Sequence, residues 1–193
     1  MTGPFLMSGP VLNEPPMISL NITMQKIEYT KLQKALHAIS ALMILWLLMS
    51  GFYAGLIKEE EPLKHVIGAF NVSLSLLLIP IFLVRTYVSF GRGYAAVKGD
   101  KNLAHWMAFI IHTMMYVLVM LVLVSGILMM DRPIVFFDVF SFPQPLSNSE
   151  AIAFYFRFHI AVCLLLALLV TLHIAAVIKH QLAGQSVIKR MAF

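Results

Sequence analysis

Four long apolar runs, separated by short polar stretches, set the plan of this chain. A helix that crosses a bilayer needs about 20 consecutive apolar residues. The runs at about 35–57, 64–90, 103–130 and 152–179 all meet that length. The connections between them are a turn at 58–63 carrying Glu59, Glu60 and Glu61, a basic stretch at 91–102, and a longer segment at 131–151. The last holds Phe136, Phe137, Phe140 and Phe142 beside Pro143 and Pro145, which suits an interfacial cap better than a free loop. Residues 1–24 contain Pro4, Pro10, Pro15 and Pro16 and no extended apolar run, so they read as a mobile tail. They have neither the basic n-region nor the h-region of a cleaved signal peptide. The predicted architecture is all-α: one integral membrane four-helix bundle over 25–193.

Composition supports a lipid setting. Hydrophobic residues make up 60% of the 193 and charged ones only 12%, with a mean hydropathy of +0.87. Soluble domains carry about 25% charged residues. The single cysteine, Cys163, lies in an apolar run, which excludes a disulfide framework and a thiolate metal site. A pI near 9.4 invites a nucleic-acid reading, but no soluble basic domain exists to bind one, so nucleic acid is excluded as a partner. The basic residues instead flank the apolar runs. Lys26, Lys31, Lys34, Arg85, Arg92, Lys98, Lys101, Lys179, Lys189 and Arg190 fall on the side of the termini, and Lys58, Lys64, Arg132 and Arg157 on the other. By the positive-inside rule this asymmetry predicts cytoplasmic termini.

Candidate chemistry lies in the histidines, His37, His65, His105, His112, His159, His173 and His180. Ionisable side chains inside a bilayer are costly and usually functional. His159 and His173 share the fourth helix, so a fourteen-residue spacing separates them by about 21 Å along the axis and returns them to within about 40° of one face. One helix face therefore offers an imidazole at each of two depths, as two stacked haems require. His37, at the start of the first helix, is level with His173; His65, at the start of the second, lies on the side of His159. Two imidazoles close the coordination of a b haem and favour electron transfer over ligand binding. Zinc needs its ligands within about 2 Å of one point, which such a separation forbids. Arg85 offers a bidentate partner for a haem propionate, and His112 a contact to haem or quinone. Gly51 and Gly55 form a small-xxx-small step that marks close helix packing or makes room for a flat macrocycle.

The order and spacing of several short motifs resemble the bacterial cytochrome b561 family over nearly all of residues 29–191. Tyr29-Thr-Lys-Leu-Gln followed by His37 resembles its approach to the first helix. Leu103-Ala-His-Trp, His112, Tyr116 and Gly126 resemble its third helix. Asn148-Ser-Glu, His159, Leu172-His173-Ile-Ala-Ala and Ile188-Lys-Arg-Met191 resemble its fourth helix and tail. The resemblance implies a multi-pass protein of the bacterial inner membrane with two b haems, each between two histidines. It also implies electron transfer to ubiquinone, from superoxide at the outer face in some members; in others the protein is a haem-bearing anchor that exchanges electrons with a partner dehydrogenase or hydrogenase. Where the family places a second-helix ligand about fourteen residues before an arginine, counting back from Arg85 reaches Asn71 rather than His65. Either His65 serves from a shifted second helix or the outer haem is altered or absent, leaving one. The expectation taken forward is two haems, with His37 and His173 on one and His65 and His159 on the other.

Overall fold

A computed structural model describes residues 30–58, 61–98 and 102–184. The tail at 1–24, Glu59 and Glu60 of the acidic turn, Lys101, and Ile188, Lys189, Arg190 and Met191 lie outside the described residues. Four helices, α1 (Lys31–Leu56), α2 (Pro62–Val97), α3 (Leu103–Leu128) and α4 (Ser149–Leu182), are each long and apolar enough to cross a membrane.

Local chemistry explains where each helix starts. Thr30 caps α1: its hydroxyl accepts from the Gln33 backbone N–H at 3.3 Å, and the Gln33 side chain accepts from the Thr30 N–H at 3.1 Å. This reciprocal box satisfies two otherwise unpaired donors. Pro62 opens α2, where a missing N–H costs nothing. Asn148 caps α4 by accepting from the backbone N–H groups of Glu150 and Ala151. Glu150 in the first turn and Lys179 and His180 in the last complement the helix dipole.

The expected basic connection at 91–102 is mostly helical, because α2 continues to Val97. A Cβ on Gly93 would come within 3.2 Å of the Phe109 ring, so glycine lets the end of α2 approach α3. Phe90 and Tyr94 pack their rings on Phe109 there. Within 131–151 the expected cap takes the form of a hairpin, β1 (Ile134–Phe136) paired antiparallel with β2 (Phe140–Phe142). Its turn holds Phe137 and Asp138 at φ 44° and 58°. Left-handed backbone costs a non-glycine residue roughly 1–2 kcal/mol, and α2 offsets this. The Ser73 hydroxyl accepts from the Phe137 N–H at 2.9 Å and donates to the Val135 carbonyl, while Phe137 packs edge-on against Phe70.

The bundle is two tight pairs, α1 with α2 and α3 with α4, joined by α2 against α3; α1 and α4 make at most glancing contact. Ile44, Leu78, Phe82, Leu118, Val119, Leu123, Val162 and Leu166 form the packed core. Large apolar side chains cover the outside on all four helices, the surface expected where the solvent is hydrocarbon. The hairpin and the α1–α2 turn mark one end of the bundle; the described chain begins and ends at the other, called the terminal end below.

Candidate functional site

At the terminal end α1, α2, α3 and α4 contribute His37, Arg85, His112 and His173 to one cluster. Arg85 Nη2 lies 2.8 Å from His37 Nδ1, and Nη1 donates to the Ser40 hydroxyl. A guanidinium has no acceptor, so His37 Nδ1 is the bare nitrogen and its proton sits on Nε2. The Arg85 guanidinium lies 5.8 Å from the Phe82 ring centroid and 5.5 Å from that of Tyr116, and the residue is only 7% exposed. Cation–π contacts contribute about 0.5–2 kcal/mol each, whereas an unpaired buried charge costs several kcal/mol. Among the described residues no carboxylate pairs with Arg85; the described acids, Glu61, Asp131, Asp138 and Glu150, belong to the hairpin end. Among the described residues the partners of Arg85 are therefore neutral: Ser40, His37 and the Tyr116 hydroxyl.

His112 packs edge-on against His173 with ring centroids 5.0 Å apart, and its Nδ1–H donates to the Ala108 carbonyl at 2.7 Å. Its Nε2 therefore carries the lone pair. His37 lies within electrostatic reach of both His112 and His173. Three imidazoles, one guanidinium and the loosely packed α1–α4 side thus coincide at one level. Among the described residues no group of three or more His, Cys, Asp or Glu side chains is placed to hold a metal ion by itself.

His159 is held separately, toward the hairpin end. Its Nδ1 lies 3.1 Å from both the Val122 carbonyl and the Ser125 hydroxyl. The Ser125 proton goes to the Leu121 carbonyl at 2.6 Å, so both groups accept and Nδ1 carries the proton. Nε2 faces the Cys163 thiol at 3.5 Å. A Cβ on Gly126 would come within 3.2 Å of the His159 ring, so glycine sets the ring's seat on α3.

No hydrogen bond or ring contact links His65 with His159 among the described residues, and His65 is exposed in the first turn of α2. Asn71 is turned inward instead and accepts from the Ser50 hydroxyl at 2.9 Å. Six residues of helix rotate by about 600°, which leaves His65 some 120° away from the direction of Asn71. His105 is exposed. Nothing lies within 4 Å of a Cβ built on Gly51 or Gly55, so this step is not a seam between helices. Ser40 and Ser125 have no part in the reading from sequence, although Ser40 stands one helical turn after His37; Cys163, read there only as a lone thiol in an apolar run, stands one turn after His159.

A comparison with curated proteins gave no match. The family model described as prokaryotic cytochrome b561 matches residues 28–193, most of the chain and all four helices. Four membrane-spanning helices with histidines at two depths, in this order, are those of a b-type haem protein of membrane electron transfer, and the chain belongs to the prokaryotic cytochrome b561 family.

Proposed function

We propose that this cytochrome binds a b haem between α1 and α4 with His37 and His173 as axial ligands, and passes electrons to ubiquinone from a donor at the hairpin end. The observation that carries this reading is the Arg85–His37 contact beside His173, where α1 and α4 make few contacts. When bound, haem supplies the one-electron chemistry; the residues hold it at a fixed depth and exclude water. Ligation through His37 Nε2 needs the proton on Nδ1, where a donor-only guanidinium cannot accept it. With haem bound, Arg85 would have to leave His37, and a haem propionate would be a suitable carboxylate partner for its guanidinium. His112, with Nδ1 tied to Ala108, supports the ring of His173 from α3.

Superoxide at the outer face is the donor this reading favours. Purified chain in lipid vesicles with ubiquinone should have its reduced haem reoxidised within a turnover, with no second protein present. Reoxidation only after a soluble partner is added would favour the haem-bearing anchor. The hairpin supports that second reading, because it exposes Val139, Phe140 and Phe142 at the face where a partner would dock.

Orientation belongs to the same proposal, with both termini in the cytoplasm of a bacterial inner membrane. In a Cys163→Ser background, Lys58→Cys should react with an impermeant maleimide from outside and Lys98→Cys should be protected. The reverse pattern inverts the topology.

A further inference from the structure

The hairpin-end half of the bundle carries a polar layer of its own: Ser50 on α1, Asn71 on α2, Ser125 on α3 and His159 on α4. Asn71 and His159 lie about 14 and 15 Å along their helices from the starts at Pro62 and Ser149, so they share a depth. The His159 Nδ1–H is fixed on Val122 and Ser125, which leaves Nε2 its lone pair, met in this structure by the Cys163 thiol of the same helix at 3.5 Å. A ligating histidine usually donates its second nitrogen to a carbonyl in this way. On α1, Gly51 and Gly55 follow buried Ile44 by seven and eleven residues, within about 20° of its direction; both are exposed, and a Cβ on either would meet nothing within 4 Å. The second imidazole is what this layer lacks. Asn71 holds the inward position on α2 with its carbonyl oxygen engaged by Ser50, and His65 is exposed on another face.

We propose that a second b haem is held here by His159 alone, and that its opposite axial position takes an exchangeable small neutral ligand of the diatomic class. The proposal rests on the reading of this chain as a b cytochrome. A single-histidine haem leaves one position open, and the polarity around that position governs what binds; the Asn71 and Ser50 side chains supply a polar layer at the right depth. The chain would then combine a closed electron-transfer haem at the terminal end with an open one at the hairpin end.

Carbon monoxide is the probe. The full chain, purified in detergent and reduced with dithionite, should contain two haems, about half of which give a carbon monoxide difference spectrum while the rest stay low-spin. Asn71→His should keep two haems and lower the carbon monoxide response at least tenfold by supplying the second imidazole. His159→Ala should lose the carbon monoxide-binding haem, and His65→Ala should change nothing. The persisting low-spin haem reports that each variant is folded. Two low-spin haems with no carbon monoxide response, a single low-spin haem in the unmodified chain, or loss of the second haem in His65→Ala would each overturn the proposal. None of these touches the His37–His173 site, whose failure shows as loss of the low-spin component.

Discussion

Replacing His173 with alanine should remove the low-spin haem of the terminal end, lowering its occupancy at least tenfold after purification. The expectation follows from the cluster geometry. His173 is half-buried on α4 beside the open α1–α4 side, and no residue of its own helix near that depth offers a substitute ligand. His37→Ala should have the same effect from α1. His112→Ala should retain the haem, because His112 contacts His173 by a ring edge and is bound to its own helix through Ala108. Haem-to-protein ratios and low-spin absorbance on the three purified variants test this together. Retention in His173→Ala with loss in His112→Ala would move the axial ligand from α4 to α3.

Arg85→Gln should weaken haem retention and lower the midpoint potential of the remaining low-spin haem. A buried positive charge favours the reduced form, which carries one more electron. At a separation of roughly 10 Å and an effective dielectric of about 20, one charge contributes about 1.7 kcal/mol. For a one-electron couple that is on the order of 70 mV. Arg85→Lys should restore the potential in larger part than the retention, since lysine keeps the charge without the bidentate fork. A redox titration separates the two effects. An unchanged potential in Arg85→Gln would mean that the guanidinium does not face the haem and that its bonds to His37 and Ser40 only join α1 to α2.

Much of this was legible in the sequence because a transmembrane helix is a one-dimensional object. The four spans follow from apolar length alone, and their starts at Lys31 and Pro62 carry readable signals in Thr30, Gln33 and the proline. The two depths of His159 and His173 need only the rise of a single helix. Relations between helices were harder to read. Which of His65 and Asn71 faces inward depends on the rotation of α2, and an offset of about 120° decides it. The chemistry of imidazole favoured His65; the packing of α2 on α1 turned Asn71 toward Ser50. The Arg85–His37 contact joins residues 48 apart and has no local signal. The basic stretch at 91–102 reads as a connection from its charge, whereas Gly93 within it serves a close helix contact. Phe109 packs on α2 there. Gly51 and Gly55 show the converse, a spacing that suggests packing where nothing packs.

The most direct test of the central reading is a reduced-minus-oxidised spectrum of the purified, unmodified chain, taken with its haem-to-protein ratio. A sharp low-spin b-type difference spectrum, amounting to one bis-imidazole haem per chain, is the expected result. A chain that purifies folded and membrane-inserted yet holds no low-spin haem would contradict it.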